Sequence, residues 1–224
     1  MSNWRKLVAY TAPLLAFVAL LGLNTALKKI DRSIWLSSAD YWIYPAQTIL
    51  CGGLLIWFRR EYEFHRLRHV AFALLIGIIV FLLWISPQAF FGFAPRTSGF
   101  NPDIFSNQSS LYWPTVVLRF LRLVVVVPFI EEIFWRGFLL RYFINENFER
   151  VPFGAFSWLS FSIVALAFAF SHSPADWPAA LVTGVIYNGV AYRTKNLSSC
   201  ILTHALTNLL LGLWIMKTKQ WGFW

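Results

Sequence analysis

The sequence predicts an all-α, polytopic membrane bundle of seven or eight transmembrane helices, and three observations carry that reading. Of the 224 residues, 58% are hydrophobic and only 13% charged, about half the charge of an average soluble domain. Aromatic residues reach 19%, with 22 Phe and 12 Trp, and mean hydropathy is +0.58. Apolar runs of membrane-spanning length follow one another along the chain. So little charge cannot cover a water-facing globule, and the same numbers exclude a disordered chain.

A spanning helix needs about 20 mostly apolar residues. The runs are 7–23, 40–58, 70–85, 114–143, 153–172, 178–192 and 198–216, the fourth long enough for one tilted helix or two segments. They consume most of the chain, which predicts a single integral-membrane domain over 1–224. The first run has too long an apolar core for a signal peptide and no A-x-A-type site after it, so it reads as a retained helix. The connection from Ser86 to Trp113 carries Pro87, Pro95, Gly99 and Pro102 and reads as an ordered surface loop or lid.

The formal charge is 19 − 10 = +9. The cations sit in short clusters between apolar runs, a pattern that suits membrane lipids and topology signals and argues against nucleic acid. With the N-terminus inside a cell membrane, Arg5, Lys6, Arg59, Arg60, Arg66, Arg68, Arg141, Arg150, Arg193 and Lys195 are cytoplasmic. Lys28, Lys29, Arg32, Arg96 and the C-terminal lysines fall opposite. Two spans within 114–143 would largely erase this bias. Cys51 and Cys200 lie inside apolar runs and read as small buried hydrophobes, without metal spacing or a disulfide framework.

The informative residues are polar ones in apolar runs. Within 124–140, Glu131, Glu132 and Arg136 each cost roughly 2.5–3.5 kcal/mol near mid-bilayer, or about 8–10 together. The eleven Val, Ile, Leu and Phe residues around them return only about 3–7 kcal/mol. The polar face must therefore turn into the bundle or a wet cavity. Glu132 and Arg136 are spaced i, i+4 with the acid first, the favourable order for an ion pair. Glu131 is rotated by about 100° and is left to seek a proton, a water or a metal. Pro128 removes a helix hydrogen bond one turn earlier and loosens the backbone there.

Phe168 and His172 share a face at i, i+4, with Pro174 limiting continuation of the helix; His204 and Asn208 share a face of the last run. His65 and His69 lie in a charged loop and read as solvated, Arg119 and Arg122 as snorkelling or flanking the span. The aromatic excess reads as lipid-facing bulk and implies no cofactor. Taken singly, each motif has a plain structural role: an ion pair pinning helices, an interfacial imidazole, interhelical hydrogen bonding. Together they place one unpaired Glu, two His and an Asn on three helices. Such a set can activate water, with donors from His204 and Asn208 steadying an oxyanion. Alternatively Glu131, His172 and His204 offer the ligands of a catalytic zinc site.

Glu131-Glu132-x-x-x-Arg136, Phe168-x-x-x-His172 and His204-x-x-x-Asn208, in that order, resemble the type II CAAX prenyl endopeptidase and bacteriocin-processing (CPBP, Abi) family of intramembrane proteases. The resemblance covers residues 115–216. It implies an eight-helix core in which Glu131 and His172 activate water, His204 and Asn208 form the oxyanion site, and Glu132 and Arg136 support the first motif. It further implies a membrane-associated peptide or protein substrate, bacterial protein sorting or processing as one setting, and no required cofactor. A divalent metal such as zinc on Glu131, His172 and His204 stays open. One tension is that Glu131 falls mid-helix and His172 near a helix end, so the two meet only through a register shift or a break in 114–143. Neither H-E-x-x-H nor G-x-S-G nor a Gly-Asp pair occurs, which disfavours other intramembrane proteases. Two other classes remain alternatives: a non-catalytic scaffold or immunity protein of the same fold, and a proton- or ion-coupled transporter.

Overall fold

A computed structural model describes residues 4–30 and 33–224, so Arg32, counted above in the charge bias, lies outside the described residues. Helix makes up 77% of the chain and no strand occurs among the described residues, in keeping with the all-α expectation. α1 spans Trp4–Lys28, α2 is a single turn at Ile34–Ser37, α3 spans Asp40–Trp57 and α4 spans Val70–Phe90. The long run is one unbroken rod, α5, over 109–142. Within it, α-helical Ser109–Leu121 passes into a π-helical stretch, Arg122–Val126, then α-helical Val127–Glu132, a second π-helical stretch, Ile133–Leu139, and a last turn, Leu140–Tyr142. α6 is Trp158–Phe170, α7 Trp177–Thr194 and α8 Leu197–Thr218.

Several boundaries differ from the sequence reading: α1 runs on to Lys28, and helix takes up both ends of the predicted 86–113 connection, which shortens to 91–108. α4 runs through Pro87 to Phe90. The carbonyl of Leu83, which the missing N–H of residue 87 leaves unserved, accepts instead from the Ser86 hydroxyl at 2.8 Å. The run 153–172 yields a helix of only 13 residues, because Pro152 and Gly154, the latter at φ +79°, hold the chain out of helix before Ser157.

The seven long rods alternate in direction. At one end, Lys6 donates to Glu63 at 2.7 Å, Arg141 to Glu63 at 3.2 Å, and the Asn196 amide to the Arg66 carbonyl at 2.8 Å. This basic end gathers the start of α1, the 58–69 segment, the end of α5 and the α7–α8 turn. The opposite end is tied by Lys28–Asp40, Arg96–Asp176 and Lys219–Asp103. His65 and His69 are exposed, and Cys51 and Cys200 buried and unbridged, as the sequence implies.

Burial pushes the Glu63 carboxyl up, but the Lys6 hydrogen bond and the Arg141 and Lys6 charges outweigh it and hold it below its ordinary value. A depressed carboxyl adds stability above its unfolded-state pKa, and that contribution disappears as pH falls through the lower folded-state value. Between neutral pH and about pH 4, the wild-type protein should therefore lose thermal stability more steeply than Glu63→Gln. Melting curves of the two proteins across that range are the check, and parallel decline would contradict it.

α1, α4 and α8 are long and apolar enough to cross a membrane. Their most apolar stretches are 28%, 22% and 56% buried respectively, which makes α8 the central helix and leaves α1 and α4 at the periphery. Exposed Trp4, Trp57 and Trp158 ring the basic end and exposed Trp35 and Trp113 the other, with exposed Leu15, Ile49 and Leu75 between them. Two aromatic girdles around an apolar waist suit a bilayer. Small residues allow the tight crossings at the centre. A Cβ on Gly77 of α4 would lie 2.9 Å from the Thr203 carbonyl of α8, and one on Gly184 of α7 would lie 3.1 Å from the Ala165 carbonyl of α6.

Candidate active site

The site is built around irregular backbone in α5. At the first π-helical stretch, the Val127 N–H reaches the Arg122 carbonyl, five residues back. Residue 128 is proline and has no N–H to offer Leu123 in the same pattern. The Leu123 carbonyl is therefore left without a helix donor. Asn208 on α8 supplies one: its Nδ2 donates to that carbonyl at 2.9 Å. Because a carbonyl only accepts, this bond also fixes which way the Asn208 amide faces.

One turn further on, Glu132 is fully buried. Its Oε1 accepts from Arg136 Nη1 at 3.0 Å and from His204 Nδ1 at 2.9 Å. The Arg136 guanidinium also donates to Asn188 Oδ1 at 3.2 Å and lies over the rings of Phe168 and Tyr187, 4.8 and 5.3 Å from their centroids. Asn188 in turn donates to the Phe161 carbonyl at 3.1 Å. The predicted ion pair thus exists as part of a network that ties α5 to α6, α7 and α8. A buried pair repays its desolvation only as far as its remaining hydrogen-bonding groups are served. The imidazole serves Glu132 Oε1 and the Asn188 amide serves Arg136, while Glu132 Oε2 is buried without a partner.

Glu131 differs in that no ion pair or hydrogen bond reaches it among the described residues; its Oε2, like that of Glu132, is buried without a hydrogen-bond partner. It faces a cavity of about 380 Å³ that it shares with His172, His204 and Asn208. His172 follows the last turn of α6, where its Nδ1 donates to the Phe168 carbonyl at 2.8 Å. That bond commits the proton to Nδ1 and leaves Nε2 with its lone pair. The His172 ring packs against Phe168 and Trp84, with centroids 4.8 and 5.8 Å away.

The apparent mismatch in depth between Glu131 and His172 is resolved without a break in α5. Ser160 near the start of α6 bonds the Leu140 carbonyl near the end of α5. From that shared level Glu131 is nine residues back and His172 twelve residues on, or about 13 and 18 Å at 1.5 Å per residue. The shortness of α6 brings its C-terminal end level with the middle of the longer rod.

Residues 113–210 match the family model of Rce1-like type II CAAX prenyl endopeptidases. The match bears out the resemblance carried by the three motifs over that region, which is somewhat less than half of the chain. The matched family is one of proteases, and the apolar helices are in keeping with a membrane protein. No curated protein and no solved structure matches the chain. The Rce1-like region runs from the second turn of α5 through Asn208 and so takes in all six residues singled out by sequence.

Several cavity residues of the Rce1-like region were not legible. Tyr187 on α7 packs its ring against His204, centroids 5.2 Å apart, and donates its hydroxyl to Thr207 Oγ1 at 2.8 Å. Tyr187 and Asn188 inside an otherwise apolar run were the available signal. Arg119 and Arg122 correct the snorkelling assignment: they are 3% and 6% exposed and line the cavity. Twelve residues of regular helix rotate Arg119 about 120° from Glu131, whereas one π turn, which absorbs an extra residue, reduces that to about 20°.

Among the described residues, no three His, Cys, Asp or Glu side chains gather into a metal-binding group. As arranged, Glu131, His172 and His204 do not fit a zinc centre with three protein ligands, and no step below is routed through one.

Asn208→Ala should leave the Leu123 carbonyl buried and unpaired, a loss of about 1–3 kcal/mol. Thermal unfolding of the detergent-purified protein measures it, and an unchanged midpoint would show that the carbonyl finds another donor.

Proposed function

We propose that this protein is a multi-pass membrane endopeptidase whose N-terminus lies in the cytoplasm and in which Glu131 activates water. The observation that carries the reading is the Glu131 carboxylate, unpartnered in a cavity shared with His172, His204 and Asn208. Glu131 takes a proton from water while His172, with Nε2 as its acceptor, orients the same molecule. The hydroxide adds to the peptide carbonyl carbon, and the proton held on Glu131 passes to the departing amine as the C–N bond breaks.

The second amide hydrogen of Asn208 donates to the oxyanion. His204 assists from Nε2 when protonated, with Glu132 holding the imidazolium through Nδ1. Glu132 and Arg136 position His204 and do not touch the substrate. The gathering of cations at the end of the bundle that holds the start of α1 supports the N-in orientation, and the two aromatic girdles support a multi-pass bundle.

The test is cleavage of a co-expressed membrane-anchored candidate substrate by wild type, Glu131→Gln and His172→Ala. Loss of cleavage in both variants, with insertion and folding retained, is the expected result. A biological function that survives both substitutions would identify a non-catalytic scaffold instead.

A further inference from the structure

The cavity carries two cations that water activation does not use. The Arg122 Nε donates to Gln47 Oε1 on α3 at 2.6 Å, and its guanidinium lies 4.8 and 4.5 Å from the ring centroids of Phe17 and Tyr44. Arg119 lies over Tyr44, Phe100 and Trp224 at 4.6, 4.9 and 5.1 Å. Among the described residues neither forms an ion pair; Glu131 and Asp40 are the acids whose charges reach Arg122, and Asp40, the acid whose charge reaches Arg119, is bonded to Lys28 and Asn24. The Nε and Nη1 of Arg119 are buried with no hydrogen-bond partner.

Two buried like charges three residues apart repel each other, and stacked rings satisfy the face of a guanidinium but not its in-plane N–H groups. Of the other charged side chains lining the cavity, Arg96 and Asp176 bond to each other. Glu131 is left facing two arginines, so a further negative charge is missing. Rigid, planar donors that lack an acceptor match a carboxylate.

Position sets where that carboxylate belongs. Arg122 and Arg119 precede Glu131 by nine and twelve residues along one rod, or about 13–18 Å. An extended peptide advances about 3.3 Å per residue, so about four or five residues bridge the interval. We propose that Arg119 and Arg122 form a carboxylate-binding subsite that anchors an acidic group of the peptide substrate a few residues from the scissile bond. The carboxylate is an Asp or Glu side chain or a chain terminus, the same chemistry from two sources. The proposal rests on the endopeptidase reading for its substrate.

The test uses the full-length protein in uncharged detergent and N-acetylated apolar hexapeptides as probes. Each occurs as an acid or an amide at its C-terminus, and with Glu or Gln at position four. Binding is measured by thermophoresis. The expected result is affinity about tenfold or more higher for a carboxylate-bearing peptide than for its neutral counterpart. Whichever pair shows the difference identifies the source. In Arg119→Gln and Arg122→Gln the preference should fall to within about twofold while the neutral peptide binds as before.

The wild-type comparison needs no substitution, so it decides even where a variant does not fold: equal affinities in both pairs overturn the proposal. A preference that persists in folded Arg variants also overturns it. So does Arg-dependent binding of phosphatidylglycerol with no response to peptide carboxylates, which would assign the cations to a lipid headgroup. A protein that prefers carboxylates yet cleaves nothing loses the protease reading and keeps the subsite. Cleavage indifferent to peptide charge has the reverse consequence.

Discussion

Glu131→Gln should lower peptide-bond cleavage by about 10²–10⁴-fold, the contribution of a positioned general base, while lowering the melting temperature only modestly. The two halves of this expectation rest on one fact. The Glu131 Oε2 has no hydrogen-bond partner, so when the carboxylate becomes a neutral amide of the same shape the fold loses no hydrogen bond, only the charge that faces Arg122. The reaction loses its proton acceptor. Turnover of a membrane-anchored substrate by purified protein, paired with a melting curve, reads both. Retained turnover removes Glu131 from the mechanism, and a large fall in stability would show that its partner had been overlooked.

Arg136→Ala should do the opposite, destabilising by about 3–5 kcal/mol, the usual result of stripping one partner from a buried ion pair. Glu132 would keep only His204 as a donor, the Phe168 and Tyr187 rings would lose the cation they face, and Asn188 would lose its donor. The double variant Glu132→Gln/Arg136→Met should recover part of that loss, because removing both charges avoids an uncompensated one. Thermal unfolding of the single and double variants is the comparison. Equal destabilisation would mean that shape, and not charge, is what the network supplies.

The sequence carried the helical class and the polar set because buried charge is costly in an apolar run and so stands out. Glu132 and Arg136 pair as their i, i+4 spacing dictates, and Glu131 is left over as its rotation requires. What the sequence hid follows from departures from regular geometry. Spacing rules assume 3.6 residues per turn, and two π-helical stretches in α5 break that assumption, which is why Arg119 and Arg122 read as peripheral and proved to be cavity residues. The length of α6 was overread because Phe153 and Phe156 are as apolar as helix residues, while Pro152 and Gly154 set the boundary. The partner of His204 was illegible because it depends on how α5 and α8 cross, which no local pattern encodes.

Pro128 makes one backbone fault into a tether between helices. The Asn208 amide stays aimed because a neighbouring strut cannot complete its own ladder and accepts a hydrogen bond from it. Mending that strut with Pro128→Ala should offer Leu123 a donor of its own and let Asn208 swing loose: a sturdier helix and a slower enzyme. Melting temperature and turnover moving in opposite directions would be its signature.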